Sequence, residues 1–271
     1  MNNELQTLFK IQEALKTSGY YDISRVAKDI LEYTQNNPLP LDIIIERIKN
    51  NEPWEYIKEQ GEFKGNIFKL NTHTLIPRIE TEIMIDIVKQ ELLKSPTPYT
   101  DIIDVGTGSG CIIISLVKEL ERTPEEKVNI QKYSYHATDI SQEAIDIAKE
   151  NEKNILNEPV IHFSQTDLIE SIALPKNSFC MILANLPYIP TQQYLALEKS
   201  VVDFEPRTAL DGGENGITYY EKLLEQIEVK NIKGCAIFEI EPSTLELFKP
   251  LYPKVIKDQY GKDRFILIRF S

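Results

Sequence analysis

The sequence predicts an α/β protein, a mostly parallel sheet with helices on both faces, preceded by a small helical unit. Three observations carry this reading. From Asp101 onward, short apolar runs alternate regularly with segments of helical periodicity. The runs are continuous in apolar character, which is how strands covered on both faces read. The first run also ends in a glycine-rich loop, Gly106-Thr107-Gly108-Ser109-Gly110, that leads directly into a helix. With 271 residues, 42% of them hydrophobic, the chain can fill a large core with an appendage, which excludes a disordered chain.

Residues 1–60 read as three short helices. Leu5, Leu8, Phe9 and Leu15 fall on one face of the first. Asp22 can cap the second, whose Ile23, Val26, Ala27, Ile30 and Leu31 follow helical spacing. Pro38 and Pro40 precede a third with Leu41, Ile44, Ile45 and Ile48. Helices this short must pack on each other or on a neighbour. Residues 62–70 then alternate around Gly65-Asn66, a hairpin signal. Pro77 precedes a helix over about 80–93, and 96–98 is a Pro-rich loop. Strands are predicted at 102–105, 135–139, 160–163, 180–184, 235–240 and 265–270. Helices are predicted from Cys111, over 142–153 and 217–229, and near 245–248.

Charge and composition narrow the function. Thirty Lys+Arg stand against 42 Asp+Glu, a net charge of −12. Residues 1–60 hold seven basic against ten acidic side chains, and the remainder 23 against 32. This balance argues against broad nucleic-acid binding and against a basic arm at the start of the chain. Cys111, Cys180 and Cys235 are widely spaced in apolar runs and read as buried free thiols of a reducing compartment. His73, His136 and His162 are scattered, so no metal site is expected. The polar start and the shortness of the apolar runs predict no signal peptide, no membrane span and a cytoplasmic protein. A monomer is the expected state.

The chemistry concentrates at strand ends. The glycine loop lies at the carboxyl end of the first strand, where open α/β sheets bind ligands. It is neither the G-x-G-x-x-G fingerprint nor a P-loop, since no Lys-Ser/Thr follows. Asp139 ends the second strand, where an acid accepts hydrogen bonds from both hydroxyls of a ribose; a plain helix cap is the alternative. Asp167 and Leu168 follow the third strand, at the place for an adenine edge.

The fourth strand ends in Asn185-Leu186-Pro187-Tyr188. Pro187 holds Leu186 toward extended geometry. The side-chain carbonyl of Asn185 and the backbone carbonyl of Leu186 can then point outward together. Two convergent acceptors and the aromatic face of Tyr188 suit a planar NH2 group. Accepting both N–H groups aims the nitrogen at an electrophilic methyl, so no general base or metal is needed before transfer. Asn185, Pro187 and Tyr188 are therefore the catalytic candidates.

These stretches resemble the bacterial peptide chain release factor N(5)-glutamine methyltransferases over nearly the whole chain. The resemblance is carried by Glu52-Pro53…Tyr56, Gly61-Glu62-Phe63, Leu75-Ile76-Pro77-Arg78 with Glu80-Thr81-Glu82, the glycine loop and Asn185-Leu186-Pro187-Tyr188. It continues in Glu205-Pro206-Arg207-Thr208-Ala209-Leu210-Asp211-Gly212-Gly213, Gly216-Ile217-Thr218-Tyr219-Tyr220, Phe238-Glu239-Ile240 and Asp258-Gln259-Tyr260-Gly261-Lys262-Asp263-Arg264. It implies a seven-stranded Rossmann-like S-adenosylmethionine methyltransferase sheet (78–271), a connecting β-hairpin (61–77) and an N-terminal helical substrate-docking domain (1–60). By resemblance, Gly106, Thr107, Gly108, Ser109 and Gly110 surround the methionine part of S-adenosyl-L-methionine, Asp139 holds the ribose, and Leu168 lies beside the adenine. Asn185 touches cofactor and substrate, and Leu186, Pro187 and Tyr188 complete the substrate cleft. The implied substrate is the glutamine of the Gly-Gly-Gln motif in class 1 peptide chain release factors.

Two departures stand out. The family usually has Pro where this chain has Leu186, so ring rigidity is lost and an additional N–H needs a partner. Asn-Leu-Pro-Tyr also occurs in ribosomal RNA adenine dimethyltransferases. N(6)-adenine methylation of RNA or DNA therefore stands as the alternative, beside a cofactor-binding protein without catalysis. Ile79 replaces a second family Pro. Arg78 and Arg207 are expected to pair with Glu80, Glu82 or Glu205 as interdomain ties. Trp54, Tyr219 and Tyr220 are expected to pack, and 200–216 is a candidate flap over the cleft.

Overall fold

The computed structural model describes residues 2–122 and 132–270. They form two compact units, Met1–Glu59 with Glu198–Phe204, and Gln60–Leu197 with Glu205–Ser271.

The first unit is helical: α1 (Asn2–Thr17), α2 (Ile23–Asn36), α3 (Leu41–Lys49) and the single turn α4 (Trp54–Ile57). The Asp22 side chain caps α2 by accepting from the Arg25 N–H. Ile11, Leu15, Ile30, Ile44 and Ile48 are fully buried together. On α1 the buried stripe is Ile11, Ala14 and Leu15, with Leu8 half-buried; Leu5 and Phe9 are exposed, unlike the predicted face. Trp54 belongs to this unit's own core, donating from Nε1 to Asp29 at 2.7 Å and meeting the Tyr33 ring edge-on.

The second unit opens with the hairpin β1 (Gln60–Phe63) and β2 (Asn66–Lys69). Its two turn residues are Lys64 and Gly65, one position earlier than the Gly65-Asn66 reading; both have positive φ, the mirror-image turn that suits strand twist. A 3-10 turn (Ile79–Thr81) leads into α5 (Glu82–Lys94), so the predicted single helix is tightened in its first turn. Then follow β3 (Asp101–Val105), α6 (Cys111–Glu121), β4 (Ser134–Asp139), α7 (Gln142–Ile155), β5 (Ile161–Gln165) and β6 (Phe179–Ala184). The chain passes through the short helices α8 (Thr191–Tyr194) and α9 (Lys199–Val202), the latter in the helical unit, to α10 (Thr218–Val229), β7 (Lys233–Glu239), α11 (Leu245–Phe248), β8 (Lys254–Lys257) and β9 (Asp263–Phe270).

The seven-stranded sheet has the order β5-β4-β3-β6-β7-β9-β8, parallel from β5 to β7, with β9 antiparallel to both neighbours. The strand order turns back between β3 and β6, which places a crevice at their carboxyl ends. Tyr220, Leu223 and Ile227 of α10 share one core with Ile103, Ile182, Ala236 and Phe238 of the sheet. Six of the seven strands match predicted runs. The seventh, β8, was missed because Lys-Val-Ile-Lys is a mostly exposed edge strand with a bulge at Ile256/Lys257 and no buried run to announce it. Among the described residues no helix is long and apolar enough to cross a membrane.

Candidate active site

The site is built on the end of β3. Gly106, Gly108 and Gly110 all take positive φ, which L side chains rarely adopt. A Cβ on Gly110 would come within 2.6 Å of Ile114 and 3.2 Å of Ala148, so the loop must lie tight on α6 and α7. The Gly106 and Thr107 N–H groups donate to the Thr138 carbonyl at 2.9 and 2.8 Å, tying the loop to β4. The Thr107 hydroxyl donates to Asp104 at 2.6 Å. Burial pushes the Asp104 carboxyl up to about 7, with the Thr107 bond opposing. From behind, the buried Asn151 amide donates to the Ser109 carbonyl at 2.9 Å and exchanges two bonds with the Lys69 backbone. Asn151 was not anticipated, since a lone polar residue in a helix carries no signal of what it will hold.

Asp139 closes β4. One carboxylate oxygen accepts from the Gly108 N–H and the other from the Ser141 N–H, each at 2.9 Å. Burial raises its pKa and these N–H groups oppose the rise. A carboxylate offers about four lone-pair positions, so acceptor capacity remains. The cap of α7 is Ser141, which accepts from the Ala144 N–H; Asp139 is the acid that spans loop and strand. After β5, Asp167 pairs with Lys222, and Leu168 takes a positive φ of 54° that turns the chain back to the cleft.

At the end of β6, the Asn185 amide donates to the Thr81 hydroxyl at 3.2 Å, which leaves Oδ1 as the atom Thr81 does not engage. Leu186 and Pro187 are buried. The N–H of Leu186 donates to the Tyr220 hydroxyl at 3.1 Å. Tyr188 points its hydroxyl to Glu239 Oε1 at 3.3 Å. Burial raises Glu239 to about 7, opposed by Thr81, Arg264 and Tyr188 beside it. Residues 210–216 are tied to this stretch: Ile189 N–H donates to Leu210, Gly212 N–H to Ile189 and Thr191 N–H to Gly213. These backbone bonds make the downstream half of the candidate flap a fixed strap.

One cleft gathers Gly106, Thr107, Gly108, Ser109, Asp139, Asp167, Leu168, Asn185, Leu186 and Pro187. Gly110 and Tyr188 do not line it; Gly110 turns the loop into α6, and the Tyr188 hydroxyl is taken up by Glu239. His73, Leu75, Arg78, Thr81, Ile112, Ile140, Ser141, Thr208 and Tyr219 also line it and were not predicted as site residues. Ile140 had a readable signal, a large apolar residue directly after the strand-end acid; it is exposed in the cleft. Arg78 makes the expected pair with Glu205 at 2.5 Å, within one unit, whereas Arg207 pairs with Asp211 instead of Glu80, Glu82 or Glu205. The three thiols are free; Cys180 and Cys235 are buried, whereas Cys111 borders the cleft.

An adenosyl group fits these residues. The glycine loop admits close backbone approach, Asp139 keeps acceptor capacity for a diol, and Leu168, Ile140 and Ile112 give apolar faces. A family model described as a methyltransferase domain matches residues 96–237. The fold is shared with the hMettl16 catalytic domain solved in complex with MAT2A 3′UTR hairpin 6, at 12% identity and a TM-score of 0.54, covering 87% of this chain and 94% of that one. Fold and cleft together define an S-adenosylmethionine-dependent methyltransferase. A Bacteroides thetaiotaomicron protein named release factor glutamine methyltransferase is 33% identical over 235 residues, 83% of this chain and 79% of the relative. A Streptococcus pneumoniae protein of the same name is 28% identical over 275 residues, 98% of this chain and 91% of the relative. The chain belongs to the release factor glutamine methyltransferase family.

Proposed function

We propose that this enzyme transfers a methyl group from S-adenosyl-L-methionine to the side-chain amide nitrogen of the glutamine in the Gly-Gly-Gln motif of class 1 peptide chain release factors, in the cytoplasm. The observation that carries the reading is the Asn185 side chain. Thr81 engages its NH2, so the oxygen is the atom left to accept, at the end of β6 and beside the glycine loop. S-adenosylmethionine, when bound, supplies an electrophilic methyl group.

The residues of the chain then have distinct tasks. Gly106, Thr107, Gly108, Ser109, Asp139, Asp167 and Leu168 hold the cofactor. Asn185 Oδ1 and the Leu186 carbonyl accept the two N–H groups of the substrate amide. This restrains the nitrogen in the orientation in which its lone pair faces the methyl. It also favours the tetrahedral nitrogen as charge develops. Pro187 bounds the slot, and Tyr188, anchored on Glu239, backs it. The helical residues 1–60 are read as the docking module for the release factor.

The same acceptor pair suits the exocyclic amine of adenine. The naming of the relatives and the acidic surface, with net charge −12, support the glutamine reading over that one. The test is incubation with labelled S-adenosylmethionine and a cognate release factor, its Gln-substituted variant, or bulk RNA. Label is expected on the unmodified release factor alone; label on RNA and none on the release factor overturns the reading.

A further inference from the structure

We propose that Tyr220 is a positioning residue for methyl transfer, its hydroxyl fixing both peptide planes around Leu186 and so aiming the Leu186 carbonyl at the substrate amide.

Leu186 is 4% exposed, so its N–H has no recourse to water. Leaving such a donor unpaired carries the full cost of stripping it of water. The Tyr220 hydroxyl, on α10, accepts that N–H at 3.1 Å. The same oxygen lies 3.1 Å from the Leu186 carbonyl and also donates to the Glu239 carbonyl on β7. One hydroxyl thus meets the N–H of the peptide before Leu186 and the C=O of the peptide after it. The first contact restrains φ and the second restrains ψ. A proline ring at this position restrains φ alone.

The hydroxyl is itself immobile. Tyr220 is fully buried, with its ring held by Phe238 at 5.0 Å and by Phe248, edge-on, at 5.7 Å. Its single proton faces two carbonyl acceptors, Leu186 and Glu239. A carbonyl oxygen carries two lone pairs, so the Leu186 carbonyl can accept a substrate N–H without leaving the Tyr220 hydroxyl, whose proton also faces the Glu239 carbonyl. Capture of the amide therefore leaves no buried donor orphaned.

The inference rests on the reading of Leu186 as an amide acceptor, and two measurements separate the two. In the unmodified enzyme, the Leu186 amide should exchange with deuterium at least about a hundredfold more slowly than exposed loop amides; exchange as fast as theirs overturns the clamp, whatever the substrate. The second measurement is a cycle of Tyr220→Phe with Leu186→Pro, which deletes the N–H that Tyr220 serves. In the Leu186 background, Tyr220→Phe should lower kcat about tenfold or more. KM for S-adenosylmethionine and its calorimetric Kd should stay within about threefold. In the Leu186→Pro background the same change should cost at least about fivefold less. Equal losses in both backgrounds, or a loss confined to cofactor affinity, overturn the proposal.

Discussion

Asn185, at the end of β6, donates its side-chain amide to the hydroxyl of Thr81, a residue 104 positions earlier in the chain. Thr81 is buried and its hydroxyl also neighbours the Glu239 carboxylate, which the Tyr188 hydroxyl reaches from another side. The orientation of the proposed amide acceptor is therefore set by an element outside the strand that bears it.

Thr81→Val keeps the shape and removes the acceptor for Asn185. We expect kcat to fall about tenfold, roughly 1.4 kcal/mol. Asn185→Ala should nearly abolish transfer, with cofactor affinity within about tenfold of the parent. Steady-state kinetics on a release factor together with calorimetry check both; undiminished activity of Asn185→Ala refutes its role.

Asp139 holds Gly108 and Ser141 as well as facing the cleft. Asp139→Ala should weaken S-adenosylmethionine binding by tenfold or more, about 1.4 kcal/mol at least. Asp139→Asn should recover part of the loss, since a carboxamide oxygen still accepts one of the two N–H groups. Titration calorimetry reads both, and unchanged affinity in Asp139→Ala refutes the assignment.

Gly212 lies where a Cβ would come 2.5 Å from the Pro187 carbonyl and 2.9 Å from Gly216, all of it backbone. Gly212→Ala must therefore displace either the strap or the Asn185-Leu186-Pro187-Tyr188 stretch. Overpacking of this kind costs about 1–3 kcal/mol. We expect a lower denaturant midpoint and a loss of kcat larger than the loss of cofactor affinity. An unaltered kcat would show that the strap does not constrain the acceptors.

Asp104 gives a pH signature. Its carboxyl titrates near 7 in the fold against an ordinary value of 3.8 in the unfolded chain. Between those values the folded state holds the proton and the unfolded state does not. Stability from this group therefore falls as pH rises toward 7, by up to about 1.4 kcal/mol per pH unit, and is level above. Asp104→Asn removes this group's share of the dependence, while Glu239, also raised to about 7, keeps its own. Urea midpoints at pH 5.5 and 8 should differ less in the variant than in the parent; identical differences count against the raised pKa.

The parallel sheet was legible because buried strands must be apolar throughout, and 102–105 and 180–184 are. The cofactor half of the cleft was legible because glycines and a strand-end acid are local signals, and Gly106, Gly108 and Asp139 do meet. The supporting residues were not. Thr81, Asn151 and Tyr220 are ordinary residues in ordinary helical patterns, and each acts through a contact with a distant segment. Tyr220 was expected to pack, and its ring does, but nothing local foretells that its hydroxyl takes the N–H created by Leu186. The hairpin shift arose from the same limit: Gly65 fits either turn position, and the pairing of Phe63 with Asn66 decides.

The edge strand β8 has a consequence for how molecules of this protein meet one another. A sheet whose last strand is long and apolar invites a further strand from another molecule. Here the last strand is four residues, begins and ends in lysine, and carries a bulge beside its partner. An incoming strand finds a short, kinked template flanked by positive charge, so the hydrogen-bond ladder stops at this edge and offers poor purchase for fibrous growth.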